Sequence, residues 1–271
     1  MEFDLNILLI IILFGLIASF IDSVVGGGGL ISLPALLAVG MDPATALGTN
    51  KLASSFGSFT STMKFIRAKK VDFDIVGKLF PLSFVGSIFG AITATYLPPE
   101  YLKPLAIIIL ALVTIYSIVK KDWGDINRYK KLSLKKAILF IVGVTVIGYY
   151  DGFLGGGTGS FFLFAFLMIG LDYLHAAGNA KFLNFASNIG ALLLFMVLGH
   201  VNYIYGLSMA VSMVIGSYLG VTFAIKKGVS YVKVLFIIVT ITLILKIYMT
   251  ILVVTLCKKH LSIYALRCFD L

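Results

Sequence analysis

The chain predicts an all-α polytopic membrane protein: an inverted repeat of two five-element halves, with eight long spans and two short broken helices. Three observations lead there. First, 60% of the 271 residues are hydrophobic, 13% are charged and the mean hydropathy is +1.05, too apolar for an ordinary soluble domain. Next, apolar runs long enough for a ~30 Å hydrocarbon core, about 20 residues each, recur along the chain. Lastly, the second part of the chain repeats the first at a fixed offset.

The runs occupy residues 5–25, 44–66, 75–97, 102–119, 134–154, 175–198, 203–225 and 231–256. The N-terminus MEFDLN is acidic and no A-x-A site follows it, so the first run is expected to be a retained span rather than a signal peptide. Two shorter pieces, 30–41 and 160–171, each lie between a glycine cluster and an aspartate. Twelve helical residues reach only ~18 Å, so each is a partial span. Glycine-rich backbone at that depth must pack inside protein or line a wet cavity.

A shift of 130 residues lays 26–94 on 156–224 without gaps and gives 17 identities in 69 positions. They include Gly26/Gly156, Gly29/Gly159, Asp42/Asp172, Gly48/Gly178, Lys51/Lys181, Gly86/Gly216 and Gly90/Gly220. Apolar bias alone does not align both lysines and both aspartates. The formal charge is +10, and 15 of the 22 Lys and Arg fall in 64–78, 120–136 and 226–233. Basic clusters between apolar spans mark cytoplasmic loops rather than a nucleic-acid face. The loop 67–78 is basic whereas its repeat copy 197–208 has no Lys or Arg, and 98–103 is poor in positive charge whereas its copy 228–233 adjoins Lys226 and Lys227. Equivalent loops are thus expected on opposite sides, which requires an odd number of crossings per half. Counting each short piece as a crossing gives five, with both termini outside. The lysines and arginine of the C-terminal tail, Lys258, Lys259 and Arg267, pull mildly the other way. The expected division is a first repeat 1–120, a basic cytoplasmic linker 121–133, a second repeat 134–256 and a tail 257–271.

Lys51 lies nine residues beyond Asp42, about 13 Å along a helix and so near mid-bilayer, and Lys181 holds the same place after Asp172. Intramembrane cations mark functional pathways unless they snorkel or pair with an acid. Helical spacing adds Ser54 and Ser58 to the Lys51 face, and Asn184 and Asn188 to the Lys181 face. Asn50 and Asn179 stand close by. The clusters VVGGGGLISLP and FLGGGTGSFF each precede a short helix. They offer unpaired N–H groups at a helix N-terminus, which attract anions. Close packing of small residues is the competing explanation. The predicted substrate-binding set is therefore Gly27, Gly28, Gly29, Asn50, Lys51, Ser54, Gly157, Thr158, Gly159, Asn179, Lys181, Asn184 and Asn188. Asp22 and Asp151, four residues before their clusters, are coupling candidates, lysine partners or helix-end groups. Neutralising either lysine is expected to weaken anion binding and leave stability nearly unchanged.

Enzyme motifs do not assemble. GGGTGS lacks the lysine of a phosphate loop, and Ser160 with His175 and His200 shows no acid–His–Ser framing. The three histidines and two cysteines, Cys257 and Cys268, have no metal-ligand spacing. No cofactor, metal or nucleic acid is expected, and the oligomeric state is not encoded in any motif.

IDSVVGGGGLISLP, GTNKLASS, GYYDGFLGGGTGSFF and GNAKFLNFASN resemble, in this order and in both halves, the TauE/SafE family of sulfite-exporter-like permeases. The resemblance is to the branch with paired N-K and AK-x-x-N signatures, although Gly155-Gly156-Gly157 stands where that branch has Gly-Pro-Gly. It implies a multi-pass transporter of the bacterial cytoplasmic membrane carrying sulfite or small organosulfonates. The expected function is a secondary transporter, in the exporting direction, of a small anion by alternating access at the repeat interface, with a possible coupling proton or ion. An anion channel is the alternative, and a membrane-embedded hydrolase a remote one.

Overall fold

The computed structural model describes residues 4–96, 128–129 and 132–227. They form eight helices and, among the described residues, no strand: α1 Leu5–Val25, α2 Gly29–Ala38, α3 Pro43–Arg67, α4 Phe73–Tyr96, α5 Leu134–Phe153, α6 Thr158–Met168, α7 Tyr173–Val197 and α8 Tyr203–Lys227. The expected spans 102–119 and 231–256, the C-terminal tail and nearly all of the linker lie outside the described residues. The repeat fixes the boundaries as well as the identities. The 130-residue offset carries the start and end of α3 onto those of α7, and the start of α4 onto that of α8. Asp42 and Asp172 are the N-caps of α3 and α7, accepting from Thr45 N and from Leu174 N and His175 N. Such caps satisfy amide groups that a first turn leaves open. The Thr45 side chain holds the Asp42 carboxyl below the usual carboxylate range, so this cap is ionised at neutral pH.

Five helices (α1, α4, α5, α7 and α8) are long and apolar enough to cross a membrane. α3 is as long as α7 but too polar to count on composition, and its unbroken buried run from Ala46 to Ala53 includes Lys51. It runs antiparallel to α7. Gly48 stands under the His200 carbonyl, where a methyl group would lie 1.9 Å from the oxygen, and Gly178 stands under the Lys70 carbonyl at 2.1 Å. These are the same contact made twice, because 48 and 70 become 178 and 200. Equivalent helices that run antiparallel make the repeat inverted.

α6 turns back along α5: Tyr150 packs tilted against Phe161 and Phe140 edge-on against Phe166, with ring centroids 5.3 and 5.4 Å apart. The return brings Gly170 O to Arg128 N at 2.7 Å. α2 packs on α1 in the same way. Each pair, α1 with α2 and α5 with α6, folds back on itself as a helical hairpin. The reason is the glycine turn, which reverses the chain where a kink would have let it proceed. Gly27 and Gly157 have φ of +91° and +89° at the two turns, a conformation open to glycine at no steric cost. The inverted relation rests on α3 and α7, which run antiparallel.

The hairpins point at each other. A methyl group on Gly26 would fall 2.2 Å from Ser160 N, and one on Gly29 2.6 Å from Gly155 O. Ser160 Oγ donates to Val25 O at 3.0 Å across the tips. Glycine ladders lock the halves sideways: Gly90 lies against Tyr149 O and Gly152 against Ser87 O, where a methyl group would come within 1.8 Å in each case. Gly216 and Gly220 likewise let α8 lie on Leu16 and Phe20 of α1. Each half therefore leans on the other half's hairpin, and the two hairpin tips meet between α3 and α7.

Candidate functional site

At that meeting point four ionisable groups converge. Lys51 Nζ lies 2.9 Å from Asp151 Oδ1 and donates to Asn188 Oδ1 at 3.1 Å. Lys181 Nζ lies 2.6 Å from Asp22 Oδ2. Both pairs cross between the halves: the lysine comes from the middle of one half's α3 or α7, and the acid from the other half's hairpin. Lys51, Asp151 and Lys181 are almost fully buried, with side-chain exposures of 1%, 2% and 3%, and Asp22 is partly buried at 22%. Charges so far from water persist only when paired and hydrogen-bonded, and of the three roles open to the two acids in the sequence, the geometry shows both as lysine partners.

A narrow cleft separates the pairs, with room for little more than a water molecule. Its walls carry Asn50, Ser54, Ser58, Asn184 and Asn188 together with Asp22, Lys51 and Asp151. The two polar stripes read on separate helices face one another here, because antiparallel α3 and α7 bring residue 51 opposite 188. Asn188 serves Lys51 rather than Lys181, and its Nδ2 reaches Ser58 Oγ at 3.5 Å. Helices α2 and α6 start at the tips, so the positive ends of both short dipoles are directed to the centre. Gly28 N, one of the amides expected to face an anion, donates to Asp22 Oδ1 at 3.1 Å.

The remaining predicted residues divide by place. Gly28, Gly29 and Gly159 line the cleft, and a methyl group on Gly159 would lie 3.1 Å from Lys181 Nζ. Gly27 and Gly157 shape the turns. Thr158 is 1% exposed and its Oγ1 has no hydrogen-bond partner. Asn179 is turned out of the cleft to clasp the α3–α4 loop, with Asp72 N donating to its Oδ1 at 2.7 Å and its Nδ2 donating to Asp72 Oδ2 at 2.9 Å. Its repeat copy Thr49 makes the matching clasp, accepting from Asn202 N at 2.9 Å.

Sequence reasoning passed over Ser19, Gly155 and Met213, which also line the cleft. Gly155 leaves room for the Lys51 head, since a methyl group there would lie 2.9 Å from Nζ. Its place in the glycine cluster was a signal, but the repeat pairs it with Val25 and so hid it. Ser19 donates to Met213 O at 2.6 Å, and a lone serine in an apolar run gave no signal. Among the described residues no group of His, Cys, Asp and Glu could hold a metal ion. His175 hydrogen-bonds the cap Asp172 at the start of α7, away from Ser160, whose hydroxyl is committed to Val25 O.

Inverted halves, opposed helical hairpins and buried ion pairs between them define a polytopic membrane transporter. The family profile described as "Sulfite exporter TauE/SafE" matches residues 11–247, and the chain belongs to that family. It is 37% identical over 232 residues to the "Probable membrane transporter protein ORF9" of Sinorhizobium sp., covering 85% of this chain and 88% of that one. It is 36% identical to the "Probable membrane transporter protein YfcA" of Escherichia coli K12, covering 83% of each. A "Probable membrane transporter protein" of Haemophilus influenzae is 33% identical, covering 86% of this chain and 91% of its own length. No solved structure matches the chain.

Proposed function

We propose that this transporter moves a small anion, such as sulfite or an organosulfonate, out of the cell across the bacterial cytoplasmic membrane by alternating access at the repeat interface. The observation that carries the reading is the pair of buried lysines, each held by the opposite half's hairpin at the shared centre. A motion of one half against the other must exchange or break these contacts, which is what alternating access about an inverted repeat asks of its central site. Lys51 and Lys181 supply the positive charge, the hairpin N-termini add their dipoles, and Asn50, Ser54, Asn184 and Asn188 orient oxygens. Asn179 acts as a structural clasp in this scheme.

With each lysine neutralised by a carboxylate, the site as a whole carries no net charge. An anion entering it needs either a displaced carboxylate or a cation that accompanies it, since an uncompensated buried charge costs several kcal/mol, on the order of the penalty known for such ions. The second route is ion-coupled transport, with Asp22 and Asp151 as coupling groups, and it is the one this reading takes. The test is counterflow in proteoliposomes: labelled sulfite, and separately methanesulfonate, should enter faster when the same unlabelled anion is trapped inside. Lys51→Met should abolish the acceleration. A linear flux that neither saturates nor shows counterflow identifies an anion channel instead. Activity that survives Ser160→Ala speaks against the hydrolase.

A further inference from the structure

We infer that Asp151, and not its counterpart Asp22, takes up the coupling proton, and takes it at Oδ2. The inference rests on the ion-coupled reading above and adds to it the residue, the atom and the direction of coupling.

The two acids occupy equivalent hairpins yet are bonded differently. Asp22 uses both oxygens: Oδ2 receives Lys181 Nζ at 2.6 Å and Oδ1 receives Gly28 N at 3.1 Å. It is fully satisfied as an anion and 22% exposed. Asp151 receives Lys51 on Oδ1 at 2.9 Å, while Oδ2 is buried with no donor from the protein. Asn50 Oδ1 is buried without a donor as well, and both residues line the same cleft. A carboxylate oxygen and an amide oxygen can only accept, and buried acceptors in a folded protein are as a rule matched by a donor. A proton on Oδ2 supplies the missing donor. At Asp22 each oxygen already holds a donor, Gly28 N or Lys181 Nζ, so a proton there would compete with a bond in place.

The polar and charged groups that share the cleft with Asp151 are Asn50, Lys51, Ser54 and Ser58 from α3, Asn184 and Asn188 from α7, and Ser19 and Asp22 from α1, with Lys181 held on Asp22. On its own helix the neighbouring Tyr150 is occupied in donating to Gly156 O. α6 has no ionisable side chain, and those of α4, Asp74, Lys78 and Tyr96, lie towards its ends. The charge that responds to protonation is therefore that of Lys51. With Oδ2–H formed, Asp151 is neutral and Lys51 is left as an uncompensated cation with Asn188, ready for one anionic charge. Loss of the proton on the other side restores the pair and expels the anion. Proton and anion thus travel in the same direction, one proton for each charge held by Lys51.

The test needs no substrate. The full chain in liposomes is titrated from alkaline to acid pH, and the carbonyl stretch of buried protonated carboxyls is followed by infrared difference spectroscopy. Wild type and Asp22→Asn are expected to show one buried carboxyl taking up a proton. Asp151→Asn should lose that band, and Asp151→Glu should retain it at a displaced frequency, which guards against a misfolded Asn variant. A band that persists unchanged in Asp151→Asn or Asp151→Glu, disappears in Asp22→Asn, or is missing from wild type overturns the assignment. Failure here with intact sulfite counterflow removes only the proton site. A titrating Asp151 without counterflow of either anion removes only the substrate reading.

Discussion

Lys51 and Asp151 lie 2.9 Å apart although a hundred residues and a repeat boundary separate them. Lys181 and Asp22 repeat the relationship in the opposite sense. The crossing converts two local sequence features into one shared centre: neither half supplies both partners of either central pair.

That relationship changes what a lysine substitution does. Lys51→Met or Lys181→Met leaves a buried carboxylate without its cation, and breaking such a pair by removing one partner costs about 3–5 kcal/mol. Both variants should melt well below wild type, contrary to the expectation from sequence of little change. Anion affinity should also fall by about tenfold or more, the size of one charge-assisted hydrogen bond. Lys51→Met combined with Asp151→Asn should regain most of the melting temperature and none of the affinity. Melting curves and anion titrations on the three proteins separate the roles; full affinity in the double variant would contradict the site.

Asn179 and Asn188 share a helix but should respond differently. Asn179→Ala frees Asp72 N and Oδ2, with an expected loss of stability of about 1–3 kcal/mol for the unpaired groups and unchanged anion affinity. Asn188→Ala removes the Lys51 partner inside the cleft and should weaken the anion. Matching effects in the two variants would show that the clasp and the cleft are not separate.

The glycine ladders predict which alanines the fold accepts. Gly90→Ala and Gly152→Ala place a methyl group 1.8 Å from a carbonyl of the neighbouring helix, so the halves must separate and yield of folded protein should drop sharply. Gly77→Ala and Gly143→Ala meet nothing within 4 Å. They sit in helix interiors and should gain roughly 0.5–1 kcal/mol from helix propensity. A thermal melt of these four variants, each purified in the same detergent, checks the contrast.

The charge asymmetry predicts that Lys70 faces the cytoplasm and His200 the outside. Single cysteines at Lys70 and His200, each in a background without Cys257 and Cys268, should react with a membrane-impermeant thiol reagent from opposite sides. Labelling from the same side would be incompatible with the inverted repeat in a membrane.

The sequence by itself determined the membrane character, the repeat and its register. Apolar length is a property of a segment and needs no partner, so α1 ends where its hydropathy does, at Val25. An offset of 130 residues is read from identities alone, and the starts expected at 44 and 175 lie within two residues of the observed 43 and 173, where Asp42 and Asp172 cap the helices locally. The matching places of Lys51 and Lys181, nine residues beyond the caps of α3 and α7, were legible for the same reason, being a count of residues along one helix. Only the tertiary structure decided what those groups meet. Helical spacing put Asn188 on the Lys181 helix, yet the antiparallel packing of α3 on α7 delivers it to Lys51. The glycine turns signalled a break in the helix, but whether the chain continued or returned depended on aromatic packing of α6 along α5. Asp22 and Asp151 stood one residue out of register and could not be assigned from sequence, because their partners lie in the other half. Periodicity fixes the direction of a side chain relative to its own helix; the identity of its neighbour depends on how that helix is crossed by another.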